Sequence, residues 1–175
     1  AGGHGGTINP MSLVAEIKKF FKKTIILSGC ISTGQDIASA MQMGADFAYM
    51  GTRFINTKES LADEGYKDMI INSKADDIVY TAAVSGVNAN FLKPSLEAMG
   101  ITEDMWKNSK KIDFGKELSA AEAEAKAWKT IWSAGQGVTS ISDSPPVKDL
   151  VENLKSEFVG SIKNQQAILQ KFSKI

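Results

Sequence analysis

The sequence has 175 residues, 43% of them hydrophobic and 23% charged, and its 20 basic and 20 acidic residues give a net charge of zero. This length is typical of one globular domain, and the balanced charge gives no electrostatic footprint for nucleic acid or an anionic membrane. No apolar run approaches the roughly 18 residues of a membrane-spanning helix, and a single cysteine cannot form an internal disulfide. We therefore expect a soluble protein of a reducing compartment, the cytoplasm, and predict no metal site.

The chain opens on a glycine-rich loop, residues 1–6, which holds the only histidine, His4. Glycine allows positive φ angles and leaves no Cβ in the way of a flat ligand, so the loop can display His4 as a base beside a bound molecule. The alternative is a frayed terminus with a solvated imidazole, because chain ends are usually mobile.

Residues 9–44 predict a helix, a strand and a second helix. Asn9 is a preferred N-cap with Pro10 in the first turn, and apolar residues recur at helical spacing up to Phe21. Residues 24–28 are a short β-branched run without alternation, typical of a strand buried on both faces of a parallel sheet. The helix that follows begins with a capping box at Thr33 and ends at Gly44.

A second strand and a third helix repeat this order. Residues 46–50 predict the strand and residues 60–73 the helix, whose inward-facing residues are predicted to be Leu61, Tyr66, Met69 and Ile70. Repeated strand, glycine and helix units are typical of an α/β barrel or a doubly wound sheet.

Each predicted strand ends at a glycine turn, Gly29-Cys30 in the first case and Gly51-Thr52 in the second. Ligands bind at the carboxyl ends of the strands in both architectures, and the backbone amides of such turns suit a phosphate. For each turn alone, a tight turn without a ligand is the better explanation, whereas the two turns together with the His4 loop favour a ligand site.

The remaining residues predict mostly helix. Residues 77–84 could be a strand or an extended segment, and residues 88–94 predict a loop. Short helices are expected over 95–99 and 102–108 with Ser95 and Thr102 as N-caps, and a longer one from the capping box at Ser119 to about Ser133. A final docking helix begins after Pro145-Pro146.

Three motifs in order resemble the nitronate monooxygenase family, also called 2-nitropropane dioxygenases. They are AGGH at residues 1–4, LSGCISTGQDI at 27–37, and MGTRF at 50–54 with Glu59-Ser60. The likeness extends through residues 134–138. It implies the carboxyl-terminal part of an FMN-binding (β/α)8 TIM barrel, in which the opening loop follows the sixth strand and residues 24–28 and 46–50 are the seventh and eighth. Residues 1–75 would belong to the barrel, and residues 76–175 would form a mostly helical region that packs on it.

The resemblance also implies where FMN binds. The amides of Gly29-Cys30 and Gly51-Thr52, with the Thr52 hydroxyl, would hold the phosphate; this agrees with the phosphate site that barrels commonly form after strands seven and eight. Flanking the same cofactor would be Tyr49, Met50, Gly2 and Gly3, the two glycines passing close to the flavin ring. Gln136 would be a flavin or substrate neighbour.

The activity implied is the oxidation of alkyl nitronates by dioxygen to a carbonyl compound and nitrite, with His4 as the catalytic base. An imidazole suits this role because its pKa is ordinarily about 6.5. The alternatives are an NAD(P)H-dependent flavin reductase of the enoyl-acyl-carrier-protein reductase or quinone reductase type, and a non-catalytic barrel fragment.

Two features depart from the family pattern. Cys30 stands where relatives usually have a second glycine. At a negative φ its amide would still reach the phosphate, so we expect a weaker or altered contact with FMN rather than none. We expect the thiol to be a buried small hydrophobe rather than a redox group. The chain also does not begin with methionine and lacks strands one to six. We therefore expect a fragment or one piece of a cleaved chain, completed by its amino-terminal half or by a second chain, because a barrel needs all eight strands to close.

Overall fold

The structure is a computed structural model that describes residues 1–108 and 130–173. Of the helix predicted over residues 119–133, residues 119–129 lie outside this part of the chain. The first half of the described chain follows the predicted order, with α1 at Pro10–Phe20, β1 at Ile26–Ser28, α2 at Gly34–Met43 and β2 at Phe47–Tyr49. β1 and β2 are parallel, with Ile26 opposite Phe47.

The helix ends form as the sequence predicts. The Asn9 side chain accepts a hydrogen bond from the Met11 amide at 2.9 Å, and Thr33 and Asp36 form the capping box of α2. Gly44 ends α2 with φ +103°, a left-handed conformation that glycine adopts without a steric penalty. These local signals fix the residues at which α1 begins and at which α2 begins and ends.

The expectation that residues 24–28 form a strand buried on both faces is wrong for this chain. Leu27 is buried in a cluster with Val14 of α1 and Ala40 of α2, whereas Ile26 is 61% exposed and Phe47 60% exposed on the opposite face. Successive side chains of a strand point to opposite faces, and among the described residues the helices cover only one of them. The β-branched run is typical of a strand in a complete parallel sheet, whereas the described chain contains only two strands of such a sheet.

The segment after β2 contains two helices, α3 at Thr52–Ile55 and α4 at Glu64–Asn72. Ile70 is buried and Tyr66 and Met69 pack beside it, as predicted. Leu61 is fully exposed instead of facing inward, because Asp63 caps α4 and Leu61 precedes the helix.

A second sheet corrects the loop predicted at residues 88–94. β3 at Ile78–Thr81 pairs antiparallel with β4 at Ala89–Leu92, and α5 at Lys93–Ala98 follows directly. Ser95 lies inside α5 instead of capping it, and its hydroxyl accepts from the Trp132 amide at 2.7 Å. Gly3 forms an antiparallel bridge to Asn90 of β4, so this sheet holds the opening loop in place.

The rest of the described chain comprises α6 at Glu103–Asn108, a 3-10 helix at Gln136–Ser140 and the long α7 at Val147–Phe172. α7 packs along α2, as expected of a docking helix. A Cβ at Gly34 would lie 2.1 Å from the Leu154 carbonyl oxygen, so the crossing of α2 and α7 requires glycine there. Among the helices of the described residues, none combines the length and apolarity needed to cross a membrane.

Candidate functional site

A cavity of about 300 Å³ forms where three separate parts of the chain meet. Residues from the opening loop, from the turn after β1 and from the turn after β2 line it together. Seven of the eight predicted cofactor residues are among them: Gly2, Gly3, Gly29, Cys30, Tyr49, Gly51 and Thr52. The convergence follows from the parallel pairing of β1 and β2, which brings both carboxyl ends to one edge of the sheet.

Met50 is the predicted cofactor residue that does not line this cavity. Its side chain packs against the cluster around Leu27 and Val14, on the helix side of the sheet. The alternation of β2 explains the difference, because Tyr49 and Met50 must point to opposite faces.

Backbone amides at the two turns are unused by the fold. Within residues 1–108 and 130–173, the amides of Cys30, Gly51 and Thr52 make no hydrogen bond. A Cβ built on Gly51 meets no atom within 4 Å, and its φ of −114° would accept a side chain. Space and free donors therefore coincide at the turn after β2, which is what an anion such as a phosphate group requires.

The N-terminus of α2 is not available to an anion. The Ser32 and Thr33 amides donate to Asp36 at 2.9 Å, and the Gly34 amide donates to Glu157 of α7 at 2.7 Å. Two carboxylates thus occupy the positive end of this helix. Any phosphate at this edge of the sheet must bind through the turns alone.

Arg53 follows the second turn, but its side chain is already bound within the fold. Its side chain is 6% exposed and pairs with Asp143 at 2.7 Å. Because this guanidinium is neutralised within the fold, anion recognition at the small cavity rests on amides and hydroxyl groups.

Glycine is required at Gly2 and favoured at Gly3 of the opening loop for different physical reasons. A Cβ on Gly2 would lie 3.0 Å from the backbone of Ala134, so Gly2 allows two backbone segments to touch. Gly3 has φ +64° with open space around its Cβ position. Gly3 therefore leaves room for a ligand. At Gly2, the close packing of the backbone already explains why a side chain is absent.

Cys30 corrects both expectations made for it. Its φ is +58°, the left-handed region that a Cβ disfavours, where a negative angle was expected. The thiol is exposed instead of buried, and its Sγ lies 3.7 Å from Oε1 of Gln136. The backbone thus keeps the conformation suited to glycine at this position.

A larger cavity of about 1260 Å³ adjoins the small one. Both are lined by Ala1, Ser28, Gly29 and Cys30, so the turn after β1 separates them. His4, which is exposed, and Gln136 line the larger cavity only. The imidazole is therefore placed away from the phosphate-sized space and beside a space large enough for a ring system.

Nine lining residues of the small cavity were not predicted as cofactor residues, among them Tyr66, Ser133, Gly135 and Gly137. Tyr66 was predicted to face inward, and no local signal separates packing on a core from lining a cavity. The glycines flanking Gln136 were visible as a turn, but their approach to Gly2 depends on the tertiary fold.

Comparison with known proteins agrees with the arrangement. The family model described as nitronate monooxygenase matches residues 1–157. The chain is 32% identical to the nitronate monooxygenase of Paraburkholderia phytofirmans over 93% of this chain and 48% of that protein. It is 28% identical to a probable nitronate monooxygenase of Staphylococcus aureus over 88% of this chain and 47% of that protein.

Solved structures give the same result. FabK from Thermotoga maritima matches 96% of this chain and 54% of its own, with a TM-score of 0.75 and 25% identity. Nitroalkane oxidase from Streptomyces ansochromogenes matches 94% and 51%, with a TM-score of 0.70 and 25% identity. The chain spans about half the length of these relatives. The predicted fold class, part of a flavin-binding TIM barrel, is confirmed, and the chain belongs to the nitronate monooxygenase family.

Proposed function

We propose that the chain carries the phosphate cradle and the catalytic base of an FMN-dependent enzyme that oxidises alkyl nitronates. The observation that carries this proposal is the convergence of seven predicted cofactor residues on one cavity, next to a larger cavity that contains His4. Family membership supports flavin-dependent nitroalkane chemistry, and one of the structural neighbours is a nitroalkane oxidase.

The small cavity would take the phosphate end of FMN. The amides of Cys30, Gly51 and Thr52 and the Thr52 hydroxyl would donate to its oxygens, and no Cβ fills the space beside Gly51. Gly29 forms the turn with Cys30, Tyr49 lies beside it, and the open space at Gly3 would face the ring. We retain Met50 as a backbone neighbour of this site only, because its side chain packs elsewhere.

His4 would act in the larger cavity. The imidazole would take the proton α to the nitro group, or would position a nitronate that is already formed, and Gln136 would offer an amide to the same substrate. Bound FMN would supply the redox chemistry, with dioxygen as the final electron acceptor and a carbonyl compound and nitrite as products.

Rapid anaerobic mixing of the flavin-loaded protein with substrate tests this function. We expect an alkyl nitronate to bleach the flavin absorbance and NADH to leave it unchanged. The opposite pattern would favour the NAD(P)H-dependent flavin reductase. A chain that gains no flavin absorbance when FMN is added would favour the non-catalytic fragment.

The exposed face of the β1–β2 pair supports the proposal that further strands complete the sheet. Ile26, Phe47 and Tyr49, each at least 60% exposed, form one apolar strip on that face. Parallel sheets are normally covered on both faces, and the relatives are about twice as long as the match. The proposal therefore includes an amino-terminal half, or a second chain, that supplies further strands. A cytoplasmic location is part of the same proposal and rests on the single cysteine of the sequence.

A further inference from the structure

Tyr66 is a lining residue of the small cavity to which the proposed function gives no role. It lies in α4 and is half-buried. Its ring stacks on Trp132, with ring centroids 5.1 Å apart and an interplanar angle of 13°. Its hydroxyl donates a hydrogen bond to the backbone carbonyl of Ser133. Two different contacts therefore tie α4 to residues 132–133, immediately before the glycine turn.

The pKa of Tyr66 is consistent with a donor of this kind. Burial raises this pKa to about 12. The hydroxyl consequently keeps its proton at neutral pH, so the bond to Ser133 persists over the range in which an enzyme works.

The segment held by Tyr66 contacts the phosphate cradle two residues later. The Gly135 amide donates to Oγ1 of Thr52 at 3.0 Å. A hydroxyl oxygen that accepts a hydrogen bond still carries its own hydrogen, which it can donate to another group. The Gly135 amide thus occupies one side of the Thr52 oxygen and restricts the directions in which its hydrogen can point.

Close backbone packing restrains the segment that connects Tyr66 to Thr52, residues 132–135. A Cβ on Gly135 would lie 3.0 Å from the Gly2 nitrogen, so the segment is wedged against the opening loop. The Trp132 carbonyl accepts from the Leu92 amide at 2.9 Å and fixes the same segment to β4. The segment from Trp132 to Gly135 is therefore held by backbone contacts at both of its ends.

We propose that Tyr66 is a positioning residue which, through Ser133 and Gly135, orients the Thr52 hydroxyl toward a phosphate monoester in the small cavity. The inference rests on the proposed function, because it requires a flavin that carries a phosphate. It predicts that Tyr66 contributes to the preference for FMN over riboflavin, which has the same ring and no phosphate.

The test is a fluorescence titration of the 175-residue chain with FMN and, separately, with riboflavin. Tyr66→Phe keeps the ring that stacks on Trp132 and removes only the hydroxyl. We expect its affinity for FMN to fall about tenfold, the effect of one well-oriented hydrogen bond, and its affinity for riboflavin to change less than about twofold. Ser73→Ala is the matched control, since it removes a 2.7 Å hydroxyl-to-carbonyl bond at the end of the same helix, and it should change neither affinity.

A double-mutant cycle tests the route through Thr52. In a Thr52→Val background, adding Tyr66→Phe should cause no further loss of FMN affinity. Additive losses, or an equal loss of FMN and riboflavin binding in Tyr66→Phe alone, would overturn the inference and leave Tyr66 a structural residue. If Tyr66→Phe does not fold, Trp132→Leu removes the stacking contact to the same segment and should show the same selective loss of FMN. A wild-type chain that binds neither flavin would contradict the proposed function itself, whereas a wild-type preference for FMN that survives in every variant would contradict only the role of Tyr66.

Discussion

Among single residues, Cys30 and His4 carry the most specific consequences. Cys30 holds a left-handed backbone conformation at the turn shared by both cavities, and His4 lines the larger one. Both residues were singled out from the sequence, but the sign of the Cys30 φ angle was predicted wrongly. Residue type indicates which backbone conformations are sterically favoured, and the tight turn after β1 places Cys30 in the left-handed conformation, which its Cβ disfavours.

The strain at Cys30 gives a stability prediction. Replacing a non-glycine residue at φ +58° by glycine relieves about 1–2 kcal/mol of steric strain and costs about 0.5–1 kcal/mol of backbone entropy. We expect Cys30→Gly to unfold in urea with a free energy about 0.5–1 kcal/mol higher than Cys30→Ala, which keeps the Cβ. Equal stability of the two variants would show that the turn adopts a different conformation in solution.

His4 gives a kinetic prediction. If its imidazole moves the proton, His4→Asn should keep FMN and lose roughly 100-fold or more in turnover with a nitroalkane. Supplying the nitronate directly should restore part of the rate, because the proton has already been removed. Unchanged turnover with both substrates would exclude His4 from the reaction.

Among the helices and strands, α7 crosses α2 at the residue where α2 begins. Gly34 allows α7 to touch the start of α2, and Glu157 caps the Gly34 amide from α7. The sequence predicted both helices, since capping residues and helical spacing are local. It could not predict this crossing, or the pairing of β3 with β4, because both depend on contacts between distant residues.

Gly34→Ala is therefore expected to destabilise the fold. Its Cβ would lie 2.1 Å from the Leu154 carbonyl oxygen, and we expect the free energy of unfolding to fall by about 2–3 kcal/mol. Gly160→Ala in α7 is the matched control, since no atom lies within 4 Å of that Cβ position. It should raise stability by about 0.5–1 kcal/mol, as alanine does inside a helix. Urea denaturation of both variants measures these differences. A Gly34→Ala variant as stable as the wild type would contradict the close crossing of α2 and α7.

At the scale of the whole molecule, the main feature is a two-stranded parallel sheet, which helices of residues 1–108 and 130–173 cover on one face only. The order of elements and the convergence of three motifs could be predicted, because they follow from local patterns and a family likeness. The antiparallel sheet that anchors Gly3 and the Tyr66 to Thr52 relay could not, since each joins residues far apart in the chain. The described residues thus form a folded unit with an uncovered apolar strip.

The uncovered strip predicts binding of a hydrophobic dye such as anilinonaphthalene sulfonate. Phe47→Asp, in the centre of the strip, should lower dye fluorescence by about twofold or more, because contiguous apolar patches bind such molecules. Leu61→Asp is the control, since Leu61 is fully exposed but lies outside the strip. Equal dye binding by both variants would mean that the β1–β2 face is covered in solution.

The most direct test of the phosphate cradle is an FMN titration of the wild type, Gly51→Leu and Gly160→Leu. Both glycines have open space at the Cβ position, and only Gly51 lies at the small cavity. If that cavity holds the FMN phosphate, the wild type and Gly160→Leu should bind FMN alike, and Gly51→Leu should bind it about 100-fold more weakly or not at all, since a bulky side chain there costs several kcal/mol. Equal FMN affinity of all three proteins would contradict the assignment of this cavity to the cofactor.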